Sequence, residues 1–451
     1  MTNTNVSAAQ DRQSPSQRRG LTIAIVALVA MLAFEAIGVT AAMPAVAAAL
    51  DGLSWYALAF GAALAASVVG MVIAGDACDR QGPRPCFKQG MLLFGAGLLV
   101  AGAAEGMLTL AAGRLLQGLG SGMLAVAIYV ALGRWYPDEQ RPRMFALLAA
   151  AWVVPAVVGP ALAALLVTHW GWRAVFLLTA LLLLPTAAVL RQPLAELTPP
   201  AVAPAPRRGR LRWGLLAGAA AVLLNLLAKP GDQSSQLWLL PALAVVCVAA
   251  AMLLPAGTLR ARRGLPTVVA LRGLLASSFL AAEVFIPLWL TQQHGWSMAA
   301  AGVAISTGAL LWSAGSWCQV RLGTPERRVA LVRTGLSLVT FGIASVVVVA
   351  GAGIAPVLSL LGWAVAGFGI GLAFPTLSVL LLALAPTAQQ GAGASSLQLS
   401  DALCSACVLA LCGSVFALVH PAAPALAFAA VMLLAAAVAA VGALVAGRVA
   451  A

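Results

Sequence analysis

The sequence predicts an all-α polytopic membrane protein, built as two six-helix halves with a two-helix insert between them. Three observations predict it. Of 451 residues, 62% are hydrophobic and only 9% charged, a balance outside the range of soluble globular domains. Apolar runs long enough to cross a bilayer recur along the whole chain. The basic residues gather in alternate connecting segments, as the inward-facing loops of a membrane protein do.

A spanning helix needs about 20 mainly apolar residues. Residues 1–20 are polar and are expected to form a disordered cytoplasmic N-terminus. The first run, 21–48, is too long and too free of a small-residue cleavage site for a signal peptide, so it reads as a retained helix. Runs at 54–75 and 87–106 flank the charged stretch Gly75 to Arg84, which is expected to be a short loop between spans. Further runs at 108–132, 143–168 and 172–191 complete an N-terminal half over 21–191. Residues 192–211, rich in Pro, Ala and Arg, read as an unstructured cytoplasmic linker. Next comes a hairpin, 212–229 and 236–256, apolar except for Asn225, Gln233 to Gln236, Lys229 and Asp232, and therefore expected to be peripheral. The C-terminal half, 257–451, holds runs at 266–291, 297–321, 329–350, 355–385, 391–418 and 422–447. The total is fourteen helices.

Placing the N-terminus inside puts all but Arg114, Arg173 and Lys229 of the 26 basic residues on cytoplasmic segments or adjoining helix ends. Dropping one helix would reverse every later loop, so an even count with both termini cytoplasmic follows. The net charge of +13 therefore describes topology and an inner face suited to anionic lipids, not nucleic-acid binding. The seven cysteines lie in spans or on the cytoplasmic side, and no disulfide framework is expected. Cys404-x-x-Cys407, inside an apolar helix, reads as packing.

A faint repeat relates the halves. Gly113, Gly118, Gly120 and Gly122 recur as Gly362, Gly367, Gly369 and Gly371 at one constant offset, and Pro44, Gly52 and Ser54 recur as Pro287, Gly295 and Ser297. Parallel repeats of this kind occur in transporters with a substrate site between the halves. Closely spaced glycines also serve simply to let helices approach.

Most acidic residues sit at helix ends, but Glu35, Glu283 and Asp401 fall near the middle of their spans. A carboxylate there costs roughly 2.5–3.5 kcal/mol on insertion scales and is a functional candidate; the alternative is a packing role. A low dielectric favours its neutral form, so such a group can carry a proton from one side to the other. Asp401 shares a helix face with Gln398. Arg114 reads as the one deeply placed cation, pairing with one of these acids or with a backbone carbonyl. Trp152, Trp289, Trp312 and Trp363 lie within spans, either to stack on an aromatic substrate or to pack. No Ser/His/Asp set, metal-ligand spacing or phosphate loop is present, so neither an enzyme nor a bound metal or cofactor is expected.

These residues resemble the major facilitator superfamily, and within it the drug:proton antiporters with fourteen transmembrane helices. Gly75, Asp79, Arg80, Gly82 and Arg84 match the signature loop between helices two and three, with Pro83 in place of a basic residue and Ala77 in place of a leucine. Arg114, Gln117, Gly118 and Gly120 resemble the fourth-helix motif, whose arginine is linked to proton transfer. Pro155, Gly159 and Pro160 resemble the fifth-helix motif of antiporters, though Ala163 stands where glycine is common. The resemblance implies that Asp79 docks near the N-terminus of the penultimate helix, close to Gly391, and holds one alternating-access state. It also implies that the fifth helix bends and packs closely on the opposite half, and that Glu35 is the main coupling acid, with Glu283, Asp401 and Arg114 as further proton-coupling candidates.

The function that follows is proton-coupled export of amphipathic or lipophilic small molecules, lipophilic cations among them, from a monomer in the inner membrane. The proton gradient supplies the energy. Two alternatives remain open at this stage: a dedicated exporter or facilitator of an endogenous metabolite or lipid, and a non-transporting scaffold or sensor.

Overall fold

The computed structural model describes residues 15–51, 56–195, 209–227, 233–296, 298–351 and 356–450. Fourteen α-helices form among them, and no strand: α1 (Pro15–Ala49), α2 (Tyr56–Gln81), α3 (Pro83–Gly102), α4 (Met107–Trp135), α5 (Arg141–Trp170), α6 (Arg173–Ala195), α7 (Arg210–Leu227), α8 (Gln233–Leu253), α9 (Leu265–His294), α10 (Met298–Leu322), α11 (Arg328–Gly351), α12 (Ser359–Leu384), α13 (Gln390–Val419) and α14 (Pro424–Val445). Each apolar run of the sequence coincides with one helix. Eleven are long and apolar enough to cross a membrane over their described residues; α7, α8 and α10 fall short of that measure. Helix is the form such sequences take in lipid, where every backbone N–H and C=O must be satisfied within the segment.

Two expectations change at the helix ends. The stretch Gly75 to Arg84 is not a loop: α2 continues to Gln81, α3 begins at Pro83, and the chain turns at Gly82 alone. Gly82 has φ 83°, which costs glycine little, and Pro83 follows at the first helical position, where its missing N–H is no loss. Ala77, Arg80 and Gln81 are sound helix formers, and Arg80 pairs one turn away with Asp76 at 3.7 Å. At the other end, α1 starts at Pro15, so residues 15–20 are helical and not a disordered arm. Residues 1–14, most of the 192–211 linker, and Lys229 and Asp232 of the insert lie outside the described residues.

The chain divides into two compact units, Met1–Gly218 with Ala385–Ser395, and Ala219–Leu384 with Ser396–Ala451. The boundaries pass through α7, fall at the end of α12 and pass through the second turn of α13.

In the first unit α4 runs between α2 and α3, while α1 packs on α5 and α6 and α3 packs on α6. Gly118 and Gly122 lie against the carbonyl oxygens of Ala63 and Ser67 on α2, and Gly113 and Gly120 lie against Gly97 and Gly90 on α3. A Cβ at any of these four would overlap main-chain atoms. In the second unit α12 holds the same place between α10 and α11, and α14 packs on α9 and α11. Gly367 and Gly371 meet the carbonyl oxygens of Gly308 and Trp312 on α10, and Gly362 and Gly369 meet Gly342 and Gly335 on α11. The sequence repeat is therefore a repeat of contacts. Every glycine of the quartet has a counterpart pressed on the counterpart helix.

Candidate functional site

The first unit buries a three-residue polar cluster. Glu35 comes from the middle of α1, and Arg114 and Gln117, three apart and so on one face, come from α4. All three are buried, with Glu35 7% and Gln117 1% exposed. Arg114 Nη1 donates to Glu35 Oε1 and pairs with it as a salt bridge, and also donates to Gln117 Oε1 at 3.2 Å. Gln117 Nε2 donates to the same Glu35 Oε1 at 3.1 Å. Gly97 on α3 makes room for this arrangement, since a Cβ there would strike Gln117. Both donors converge on one carboxylate oxygen, and Glu35 Oε2 takes no hydrogen bond from a described residue. A buried ion pair held by one oxygen leaves the second as the place where a proton can sit.

A second polar contact ties α2 to the start of α13. Asp79, 2% exposed, accepts hydrogen bonds from the backbone N–H groups of Gly391 at 2.6 Å and Ala392 at 2.9 Å. These are orphan donors of the first turn of a 30-residue helix, and the positive end of that helix favours the carboxylate. Small residues allow the approach. A Cβ on Gly75 would lie 2.6 Å from Ser395 Cβ, and one on Gly391 would lie 2.7 Å from Asp79 Oδ1. One turn further along α13, Ser395 Oγ donates to the Met71 carbonyl at 2.8 Å. Arg134 Nη2 donates to the Cys78 carbonyl at 3.1 Å, tying the end of α4 to the end of α2. Arg80 and Arg84 are exposed.

The fifth helix stays helical through Pro155 and Pro160. The closest neighbours of Gly159 are Ile37 and Phe34 of α1, beside Glu35. Pro155 is buried, and the side chain of Pro160 lies outside the described residues.

In the second unit the expectation of a single deep cation is corrected. Arg272, two turns into α9, is 1% exposed. Its Nε donates to both carboxylate oxygens of Asp401, at 3.0 and 2.9 Å. Its Nη1 donates to the Phe374 carbonyl at 3.0 Å and to Ser378 Oγ at 2.8 Å. The guanidinium also lies over the Phe374 ring, 3.0 Å from its centroid. Glu283 is brought to neither cluster; it is partly exposed and has no hydrogen bond or ion pair with a described residue.

Aromatic rings adjoin Arg272. Phe374 contacts Trp312 (5.2 Å between centroids), Trp312 contacts Phe279 (5.4 Å), and Phe279 stacks on Trp363 at 4.4 Å and 23°. Trp363 is fixed by a hydrogen bond from Nε1 to the Ile305 carbonyl at 3.0 Å. By the glycine repeat, Trp363 occupies the place in α12 that Arg114 holds in α4. Where one unit buries an ion pair, the other buries a ring stack.

Two units of repeated helical packing, with charges buried in the interior of each, define the class of membrane transporters in which two similar bundles carry the polar groups. The profile of the Major Facilitator Superfamily matches residues 23–407, and the chain belongs to that family. Solved structures of the same fold include the human organic anion transporter MFSD10 (TETRAN), with TM-score 0.71, 17% identity, and 96% of this chain and 100% of that one covered. Another is the proton:xylose symporter XylE bound to 6-bromo-6-deoxy-D-glucose, with TM-score 0.70, 12% identity and coverage of 96% and 95%. A third is a bacterial homologue of the iron transporter ferroportin in an outward-facing state, with TM-score 0.66, 13% identity and coverage of 94% and 98%. At these identities the likeness is one of fold. No curated protein matches the sequence. The family is one of multi-pass membrane transporters of small molecules, and no catalytic family is indicated.

Proposed function

We propose that the protein exports amphipathic or lipophilic small molecules in exchange for protons, by alternating access, with Glu35 as the coupling acid. The observation that carries this reading is the Glu35 carboxylate: buried, ion-paired to Arg114 and hydrogen-bonded by Gln117 through Oε1 alone. A proton arriving at Oε2 neutralises the acid, weakens its hold on Arg114, and leaves the Gln117 amide to keep the side chain in place. Loss of the proton restores the pair. A buried carboxylate in this setting alternates between two electrostatic states without leaving its site, which is what exchange of a proton against a substrate requires.

The rest of the reading follows from the sequence: fourteen crossings, both termini in the cytoplasm, an inner-membrane location and a monomer. Asp79 would hold one conformational state through the first turn of α13. Each inward proton contributes about 2.3 kcal/mol per 100 mV of membrane potential, so one or two per cycle sustain a substantial gradient. Proton coupling also occurs on this fold in the xylose symporter named above.

The test is proton movement in proteoliposomes carrying an imposed pH gradient, with a panel of lipophilic cations added to wild type and Glu35→Gln. Substrate-triggered proton flux that disappears in the variant is expected. Equal coupling in the variant removes Glu35 from the mechanism. A folded wild type silent across the panel moves the reading to a dedicated metabolite or lipid exporter.

A further inference from the structure

Of the Arg272 cluster and its rings, Arg272, Phe279 and Trp363 are almost wholly buried, at 1%, 3% and 1% exposure. Asp401, Phe374 and Trp312 keep partial exposure, with 20% for the Asp401 side chain. The partly exposed members are thus a carboxylate and two rings, in contact with a buried guanidinium and a buried ring stack.

The hydrogen bonding of the carboxylate is incomplete. An ionised carboxylate has about four lone-pair sites, yet both oxygens of Asp401 share the single Nε–H of Arg272 and receive nothing else from the described residues. The arginine divides its own charge among the Asp401 carboxylate, the Phe374 carbonyl, Ser378 Oγ and the Phe374 ring. It holds Asp401 in position without filling it. Next to Phe374, Trp312 meets Phe279 and Phe374 at steep interplanar angles, 80° and 67°, and its Nε1 has no hydrogen-bond partner among the described residues. The ring is held by packing alone, unlike Trp363, so it can adjust to a flat neighbour.

We infer that Asp401, Phe374 and Trp312 form a recognition subsite for an aromatic compound carrying a protonated amine. The ammonium N–H groups supply the donors that the Asp401 oxygens lack, and the aromatic body lies along Trp312 and Phe374. Arg272 is a positioning residue beneath it, and Asp401 recognises the ligand instead of carrying protons. The inference rests on the reading of the chain as an exporter of amphipathic compounds and names the chemistry of its substrate.

The test is equilibrium binding to the full-length protein in lipid nanodiscs, with empty discs subtracted and no proton gradient applied. The probes are naphthylmethylamine, its alcohol analogue and cyclohexylmethylamine. Wild type is expected to prefer the aromatic amine over both analogues. Asp401→Asn should weaken the amine about tenfold, or about 1.4 kcal/mol, and leave the alcohol unchanged. Trp312→Leu and Phe374→Leu, which remove no charge and so keep the question answerable if Asp401→Asn fails to fold, should erase the preference for naphthyl over cyclohexyl. Equal binding of the three probes, an unchanged pattern in the variants, or no binding at all would overturn the subsite. Because no gradient is present, those results leave the proton role of Glu35 standing, just as coupling that survives Glu35→Gln leaves the subsite standing.

Discussion

Replacing Asp79 by Asn tests whether the contact between α2 and α13 governs a conformational equilibrium. The carboxylate accepts two backbone hydrogen bonds, from Gly391 and Ala392. A hydrogen bond to a charged group contributes about 1.5–3 kcal/mol, and a carboxylate at a helix N-terminus gains about 0.3–2 kcal/mol from the dipole. Asn keeps one oxygen, loses the charge, and turns an NH2 toward a backbone N–H. The loss is thus one charge-assisted bond and most of the dipole term, about 2–4 kcal/mol, or roughly a 30- to 700-fold shift toward the released state at 1.4 kcal/mol per tenfold. Hydrogen–deuterium exchange of the peptide spanning the start of α13 reads this directly, since the contact adds to the protection of the Gly391 and Ala392 amides. Faster exchange confined to that peptide, with slowed transport and unchanged substrate affinity, is expected. Unaltered protection of these two amides would refute the energetic argument, and an equal loss of substrate affinity would refute the assignment to switching.

Arg272→Met should lower thermal stability by about 3–5 kcal/mol, because it strands the Asp401 carboxylate; adding Asp401→Leu should recover most of the loss, and no recovery in the double variant would mean the pair is not the cause. Gly118→Val and Gly367→Val should each give protein that fails to purify as a single species, as both press side chains into main chain across equivalent seams; a well-behaved Gly367→Val alone would contradict the equivalence. Gly413→Ala, with open space around its Cα, should change the melting temperature little, within about 0.5 kcal/mol.

Much of the helical layout is legible in the sequence, because in an apolar medium a long hydrophobic run has one low-energy form. The ends are less legible. Asp76 to Arg80 looks like a polar loop by composition, yet the backbone stays helical until Gly82, whose positive φ is what breaks it. Glu35 and Arg114 stand out as charges in apolar helices, but 79 residues separate them, and only tertiary packing decides the partner. Arg272 was hidden by position. It closes the basic series from Arg260, which marks a membrane face, and nothing local says that its side chain turns inward toward Asp401. Of the ring chain from Phe374 to Trp363, only Trp312 and Trp363 stand out in the sequence as tryptophans within spans; that they join Phe279 and Phe374 across three helices has no sequence signature.

The glycine seams carry a mechanical consequence. Where side chains interdigitate, helices can slide by changing rotamers; at the repeated glycines where α4 meets α2 and α3, and α12 meets α10 and α11, a bare Cα lies against the neighbouring main chain, and fewer side chains are there to rearrange. Close main-chain contact of this kind makes each trio stiffer than a seam of long side chains would. A substitution that loosens a seam would therefore cost its trio stiffness as a unit, whatever the helices around it do.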